Sequence, residues 1–217
     1  MFELTSDLLE GLPKNGPTDP IEYYRRPLVG GLFRRRINLG LSMLGDARFG
    51  RAMEVGYAAG AVQLALASGV DELHGLDLDA DVESVSRLLA SRGISAELKQ
   101  GSVYELPYPA QSMDLVVCFS VFEHLAEYKT ALAEVHRVLK TGGLFLLGMP
   151  AVNKMMEAGF YFLGFKGIED HHITTPAQVE AEFRATGYSV VAEKHLYFPF
   201  ASPVSPRLYN NWLLRRV

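Results

Sequence analysis

The stretch "RAMEVGYAAG", residues 51–60, decides the fold class of this chain. A short apolar run ends at Glu54, and two glycines, Gly56 and Gly60, follow it before a second apolar segment begins. An apolar strand that enters a glycine turn and then a helical segment is typical of the first unit of an α/β sheet. Because such a loop lies at the carboxyl end of its strand, it is the expected position of a ligand.

Strands and helices alternate outward from this loop. Their spacing predicts βαβ units and therefore a doubly wound, mostly parallel seven-stranded sheet, a Rossmann-like α/β fold. We expect Asp79 or Asp81 to cap a helix over residues 81–92, and residues 140–143 to form a glycine C-cap after a helix over residues 127–139. The predicted strands cover residues 52–55, 72–78, 96–100, 114–120 and 144–148, and a further helix covers residues 59–68.

Both ends of the chain depart from this regular pattern. Residues 1–45 are predicted to form an N-terminal helical segment that acts as a lid, with breaks near Pro27 and at Gly30 and Gly31, and residues 46–217 form the main domain. After the fifth strand, residues 149–175 predict an insertion over the ligand edge of the sheet. The remaining segments are predicted as a helix over residues 176–186, strands over 188–197 and around 198–204, and a short amphipathic helix over 208–217.

The composition is that of an ordinary globular protein. The 217 residues suit one domain with a small appendage, and the formal net charge of −4 argues against a dedicated nucleic-acid-binding protein. The single cysteine, Cys118, excludes an internal disulfide and stands in an apolar run, which predicts a buried, inert thiol. We recognise no signal peptide or membrane span, so we expect a cytoplasmic protein. We also expect a monomer or homodimer.

The glycine loop favours a cationic ligand over a pyrophosphate. A dinucleotide site prefers the pattern Gly-x-Gly-x-x-Gly, whereas Ala58 stands between the two glycines here. The carboxylate of Glu54 would repel a pyrophosphate and attract a cationic or amine-bearing ligand.

A second acidic residue, Asp77, ends the second predicted strand in "LHGLDLD". It stands about 20 residues after the glycine loop, the position from which a carboxylate accepts both hydroxyls of a ribose. Leu78 could lie against a flat base. The alternative is that Asp77 only caps the next helix.

Four stretches carry a resemblance to a known family: "MEVGYAAG", "LHGLDLD", "GSVYELPYPAQSMDLVVCFSVFEHL" and "ALAEVHRVLKTGGLFLLGMP". The chain resembles the class I S-adenosylmethionine-dependent methyltransferases, in particular the small-molecule group that includes the quinone-ring methyltransferases. The resemblance covers residues 51–148, and residues 171–197 more loosely. It implies S-adenosylmethionine as the cofactor.

The resemblance also implies residue roles. Ala58 stands where the family often has glycine, and Ser102 stands where it usually has aspartate. A serine oxygen still accepts a hydrogen bond without charge assistance, so we expect weaker cofactor binding rather than its loss. The methionine part of the cofactor would be surrounded by the loop residues Glu54, Gly56, Tyr57, Ala58 and Gly60. Asp77 would bind the ribose hydroxyls, Leu78 would pack on the adenine, and the adenine edge would lie by Ser102 and Val103. The sulfonium and the substrate entrance would be flanked by Phe119 and Ser120.

The implied reaction moves a methyl group to an oxygen, nitrogen or carbon of a small apolar or aromatic molecule by direct in-line displacement. A phenol or enol must lose a proton to a base, whereas a carboxylate acceptor needs none. The candidate bases are His124, after the fourth strand, and His171 and His172 in "EDHHITT". The alternatives are a structural His124 and a solvated histidine pair. The spacing of the pair matches no metal signature, so we expect no metal.

The acceptor side is less specific. Aromatic residues at 160–165 and 197–200 predict either an apolar pocket or core packing, and Tyr23 and Tyr24 could close over the cofactor. Five arginines of the N-terminal segment would hold a phosphate or carboxylate of the acceptor, touch an anionic membrane surface together with Arg207, Arg215 and Arg216, or face solvent. These five are Arg25, Arg26, Arg34, Arg35 and Arg36.

Other functions compete with this interpretation. The missing glycine pattern and Glu54 disfavour a nicotinamide dehydrogenase. "FSVFEH" stands where amino-group methylators of DNA and protein carry Asn/Asp-Pro-Pro-aromatic, which disfavours that chemistry. A non-catalytic module that binds adenosylmethionine or a partner remains, and Ser102 favours it. We expect a small-molecule acceptor and no nucleic-acid partner.

Overall fold

The computed structural model describes residues 2–16, 19–26, 29–151, 173–197 and 206–217. The strands are β1 (Phe49–Val55), β2 (Val70–Asp77), β3 (Ala96–Gln100), β4 (Met113–Phe119), β5 (Leu139–Pro150), β6 (Tyr188–Tyr197) and β7 (Arg207–Arg216). The helices are α1 (Ile21–Arg25), α2 (Val29–Leu41), α3 (Ala61–Leu66), α4 (Val82–Ser91), α5 (Tyr128–Val138) and α6 (Pro176–Glu182).

The strands form one seven-stranded sheet in the order β3-β2-β1-β4-β5-β7-β6. Strands β1 to β5 pair in parallel, and β7 runs antiparallel to both of its neighbours. Val55 at the end of β1 pairs with Leu76 of β2 and Cys118 of β4. The carboxyl ends of these three strands therefore meet at one edge, and the doubly wound, mostly parallel fold is confirmed.

Helices cover both faces of the sheet because its central strands are apolar on both sides. One core packs α2, α3 and α4 against the sheet, and the other packs α5 and α6 against the opposite face. The Asp81 side chain accepts a hydrogen bond from the backbone N–H of Ser84, so Asp81 is the cap of α4.

The C-terminal segment corrects one expectation. Residues 208–217 were expected to be a helix, but β7 covers Arg207–Arg216 and lies between β5 and β6. Residues 209–214 are all buried, so this strand is covered on both faces. A strand of this kind lacks the two-residue alternation of an exposed strand, and its apolar pattern also suits a helix.

Two glycine predictions are also wrong. Helix α5 ends at Val138 and β5 begins directly at Leu139, so residues 140–143 belong to the strand rather than to a C-cap. The register between β4 and β5 shifts at this point, which accommodates the glycines. Gly30 does not break α2 but lets it approach α1, since a Cβ there would lie 2.1 Å from the Tyr24 carbonyl oxygen.

The described residues before position 46 pack into the same core as α3 and α4. The side-chain amide of Asn15 exchanges two hydrogen bonds with the backbone of Asp81, at 2.7 and 3.2 Å. The division at residue 45 and the lid remain predictions. Most of the predicted insertion and the predicted strand around 198–204 lie outside the described residues. No helix in the described ranges has the length and apolarity needed to cross a membrane.

Candidate functional site

The glycine loop connects β1 to α3 at the carboxyl edge of the sheet. Gly56 and Gly60 have φ angles of +80° and +82°, in the left-handed region that favours glycine. A Cβ on Gly56 would lie 2.4 Å from Cγ2 of Val121, and the Gly60 N–H donates to the Tyr57 carbonyl at 2.7 Å. Both glycines are therefore required by backbone conformation, and Gly56 also by its close approach to the end of β4.

Ala58 lies at the tip of this loop with a φ of +43°. The left-handed conformation costs an L-residue about 1–2 kcal/mol, so alanine is strained at the position where glycine was expected. Its backbone N–H donates a 2.8 Å hydrogen bond to Oδ2 of Asp77, which compensates part of this cost.

The carboxylate of Asp77 joins two loops. Its Oδ1 accepts hydrogen bonds from the backbone N–H groups of Asp79 and Ala80, at 2.9 and 3.0 Å. Asp77 does not cap α4, because Asp81 does. The neighbouring Leu78 side chain is 64% exposed, which leaves an apolar surface open beside the carboxylate.

The carboxylate of Glu54 lies beneath the loop and is almost fully buried. Burial raises the pKa of Glu54 well above its ordinary value, and hydrogen bonds from Gln63 lower the pKa by less. Glu54 Oε2 has no hydrogen-bond partner within the described ranges. The ring of Tyr57 is buried in the core, so only its backbone belongs to the loop surface.

The loop after β3 reaches the same edge. The Gly101 N–H donates to the Asp77 carbonyl at 2.8 Å, which ties this loop to the end of β2. Ser102 Oγ accepts a 3.2 Å hydrogen bond from the Tyr104 N–H, and the side chain of Val103 is buried. The structure thus brings together the sequence-predicted residues of the three loops.

The end of β4 forms the other side of the site. Phe119 is buried, and Ser120 has a φ of +57°. The Ser120 hydroxyl lies 2.8 Å from Oη of Tyr209 and accepts a 3.1 Å hydrogen bond from Nη1 of Arg36. Strain at a non-glycine residue is frequent at functional sites, which agrees with the predicted position of Ser120.

The candidate bases are placed only in part. His124 lies in a short 3₁₀ turn after β4 with its side chain 45% exposed, and its Nε2 is 4.0 Å from Oε1 of Glu123. Burial raises the pKa of Glu123 to about 8, and nearby Arg36 acts to lower it. His171 and His172 lie outside the described residues.

Three further residues reach this edge without having been predicted there: Asn15, Asp19 and Tyr209. Asp19 is buried and accepts hydrogen bonds from the backbone N–H groups of Asn15 and Ile21, at 2.7 and 2.9 Å. The pairs Asn15-Gly16 and Asp19-Pro20 predict turns, but they do not predict which residues these turns contact. Tyr209 was assigned to a helix, which hid its position.

Comparisons with known proteins agree with this geometry. Residues 53–147 match the family described as "Methyltransferase domain". Over these residues the chain is similar to the class I S-adenosylmethionine-dependent methyltransferases.

The chain has relatives among curated proteins. It is 34% identical over 99 residues to the uncharacterized methyltransferase YcgJ of Bacillus subtilis. This alignment covers 45% of this chain and 39% of YcgJ. It is 29% identical over 153 residues to a demethylmenaquinone methyltransferase of Deinococcus radiodurans. This alignment covers 69% of this chain and 61% of that protein. The chain spans about two fifths of the length of the first curated relatives it matches.

A solved structure, PH0226 from Pyrococcus horikoshii, resembles this chain in fold. The TM-score is 0.70 over 92% of this chain and 97% of that chain. The two sequences are 15% identical, so this likeness shows the fold alone.

S-adenosylmethionine is the cofactor of this family, and the residues present fit it. The buried Oε2 of Glu54 is an acceptor without a partner among the described residues, which suits the cationic end of the cofactor. The exposed Leu78 side chain suits the adenine, and Asp77 stands beside it for the ribose. These three features lie on one edge of the sheet.

Proposed function

We propose that the protein is an S-adenosylmethionine-dependent methyltransferase that methylates an oxygen, nitrogen or carbon of a small apolar or aromatic molecule by direct in-line displacement. One observation carries the proposal: the Asp77 carboxylate bridges the glycine loop and the end of β2 and has the exposed Leu78 beside it. The cofactor supplies a methyl group already activated on a sulfonium. The chain therefore needs to bind, orient and exclude water.

The three loops divide the binding among them in this proposal. Gly56 and Gly60 let the backbone approach the methionine part closely, with Tyr57 and Ala58 between them. Glu54 holds the ammonium group, and ionisation of its carboxyl is favoured by that cation. Asp77 binds the ribose hydroxyls, Leu78 covers one face of the adenine, and Ser102 and Val103 lie at the adenine edge.

The acceptor enters beside the end of β4. Phe119 precedes Ser120, Tyr209 Oη lies 2.8 Å from the Ser120 hydroxyl, and the Phe33 ring lies 4.4 Å from the guanidinium that reaches this hydroxyl. Such a lining suits a flat or aromatic acceptor. The name of the Deinococcus relative, a demethylmenaquinone methyltransferase, supports a ring acceptor as well.

Proton removal, where the acceptor requires it, is assigned to His124. Its half-exposed ring follows the end of β4 and can exchange a proton with solvent. Glu123 is a poorer candidate because its side chain is almost completely buried. A His124→Gln variant would lose turnover of phenol or enol acceptors, which need a base, and keep turnover of carboxylate acceptors, whereas a structural role would lower both alike.

The test of the proposed function is calorimetric titration with S-adenosylmethionine, S-adenosylhomocysteine and NAD. We expect both adenosyl ligands to bind and NAD to bind much more weakly. The matched variant is Leu78→Ala, because the exposed side chain contributes little to the fold. This substitution should lower the affinity for both adenosyl ligands about tenfold, since the adenine loses the apolar surface against which it packs. Failure of the wild-type protein to bind either ligand would contradict the proposal.

Ser102 favours a second candidate, a module that binds the cofactor without turnover. Its hydroxyl already accepts the Tyr104 N–H and offers no charge to the adenine amino group. Release of S-adenosylhomocysteine in the presence of a panel of phenols, quinols and carboxylic acids distinguishes the two candidates. Binding without product from any acceptor would favour the module.

A further inference from the structure

We propose that Arg36 binds a carboxylate group beside Ser120, contributed by the methyl acceptor or by the amino-acid end of the cofactor. The proposal rests on the proposed function, since it assigns a ligand group to the same site. It also identifies which arginine of the N-terminal segment recognises an anion.

The structure separates the five arginines. Arg25 donates to the Leu9 and Leu12 carbonyls, which is a structural role. Arg34 donates to the Tyr24 carbonyl at 2.9 Å, also structural. The guanidinium of Arg26 lies 5.1 Å from the centre of the Tyr23 ring, and Arg35 is exposed. Among the contacts described for these five arginines, the one that reaches Ser120 at the end of β4 comes from Arg36.

The guanidinium of Arg36 is held by aromatic rings. It lies 4.4 Å from the centre of the Phe33 ring, 5.1 Å from that of Tyr209 and 5.9 Å from that of Tyr24. Ring faces attract a cation without consuming its N–H donors. They also fix the plane of the guanidinium, so little side-chain freedom is lost when a ligand binds.

The donors of Arg36 are incompletely used. Nη1 donates to the Ser120 hydroxyl at 3.1 Å, and Nη2 donates to the Tyr24 hydroxyl at 3.4 Å. Nε is buried and has no acceptor within the described ranges. The hydrogen bonds that Arg36 donates among the described residues go to neutral hydroxyls, and the nearby carboxyl of Glu123 interacts with it only electrostatically. A half-buried cation with these partners is the arrangement that a charged planar acceptor would complete.

The position of Arg36 suits contact with a ligand bound at the proposed site. Ser120 precedes Val121, whose side chain contacts Gly56 of the glycine loop. Arg36 is therefore separated from the cofactor loop by two neighbouring residues. A single guanidinium, with the hydroxyls of Ser120 and Tyr209 beside it, matches the one charge and the planar fork of a carboxylate better than a doubly charged phosphate.

The test is calorimetric titration of the wild-type protein and of Arg36→Met with three probes. S-adenosylhomocysteine carries the amino-acid carboxylate, and 5′-methylthioadenosine lacks it. Benzoate, titrated into the protein saturated with S-adenosylhomocysteine, represents an acceptor carboxylate. The matched control is Arg35→Met, which removes an exposed arginine from the same helix.

Two results support the proposal and identify the source of the carboxylate. If Arg36→Met binds S-adenosylhomocysteine with about tenfold or more lower affinity and methylthioadenosine with unchanged affinity, the carboxylate belongs to the cofactor. Unchanged S-adenosylhomocysteine affinity with a similar loss for benzoate assigns it to the acceptor. Arg35→Met should resemble the wild type in all three titrations.

If Arg36→Met fails to fold, as judged by circular dichroism, Arg36→Lys replaces it. Lysine keeps the charge and much of the packing but cannot form the bidentate hydrogen bonds of a guanidinium. The Arg36→Lys variant should therefore still lose affinity for the same probe. Affinities unchanged from wild type in every titration would overturn the proposal and leave the proposed function intact. A wild-type protein that binds neither nucleoside would overturn the proposed function, and this inference with it.

Discussion

The backbone N–H of Ala58 donates a 2.8 Å hydrogen bond to the carboxylate of Asp77, 19 residues further along the chain. This bond joins the loop after β1 to the end of β2, and the second oxygen of Asp77 holds the loop before α4. One carboxylate therefore fixes the shape of the site before any ligand binds. Substitution of Asp77 should consequently affect stability as well as affinity.

We expect Asp77→Ala to lower the free energy of unfolding by about 2–3 kcal/mol, because three backbone donors lose a charged acceptor. Asp77→Asn should cost less, since its amide oxygen still accepts. Urea denaturation measures both changes. Asp79→Ala, at an exposed neighbouring position, is the control and should change stability by less than about 0.5 kcal/mol. Equal effects of Asp77→Ala and Asp79→Ala would contradict the bridging role.

Replacement of Ala58 should stabilise the protein. Ala58→Gly relieves the left-handed backbone at φ +43°, and we expect the free energy of unfolding to rise by about 0.5–1 kcal/mol. Ala59→Gly is the matched control, because Ala59 is buried and does not have a positive φ. It should destabilise the protein by about 1 kcal/mol. Destabilisation by Ala58→Gly would show that the loop is not strained there.

Glu123 should give stability a dependence on pH. Its pKa is raised from 4.5 to about 8 by burial, so the folded protein binds this proton more tightly than the unfolded chain does. The stabilising contribution of the protonated carboxyl is complete below about pH 4.5 and is lost as the pH rises through about 8. Glutamine keeps the shape of the protonated form and does not ionise.

The stability of Glu123→Gln relative to wild type should therefore rise by up to about 4 kcal/mol between pH 5 and pH 8. Urea denaturation at the two pH values measures the difference. Glu105→Gln, at an exposed position, should show no such trend. Parallel pH profiles for Glu123→Gln and wild type would show that the buried carboxyl ionises as readily in the folded protein as in the unfolded chain.

The N-terminal segment should be held to the site by Asn15. Asn15→Ala removes two hydrogen bonds to the backbone of Asp81, and we expect a loss of about 1–2 kcal/mol. Hydrogen exchange of residues 2–16 should become faster than in the wild type, whereas exchange of the central strands should not change. Lys14→Ala, one residue earlier and exposed, should leave both measurements unchanged. Unaltered exchange in Asn15→Ala would mean that other contacts hold the segment.

The position of much of the candidate site could be predicted from sequence because its signals are local. The glycine loop, Asp77 and Leu78 follow short apolar strands, and parallel strands bring their carboxyl ends to a common edge. The same reasoning gave the bounds of β3 and β6 as observed. It could not rank the arginines, since Arg35 and Arg36 are neighbours on one helix and only packing distinguishes them.

The sequence by itself determined the parallel half of the sheet, because each βαβ unit is encoded by the periodicity and turn residues of a short segment. Tertiary structure decided the other half. Strand β7 enters between β5 and β6 and is covered on both faces, so its pattern also suits a helix. That placement brings Tyr209 to Ser120 across 89 residues, and α2 brings Arg36 to the same hydroxyl across 84. Contacts of such separation depend on how the elements pack, which local sequence patterns do not specify.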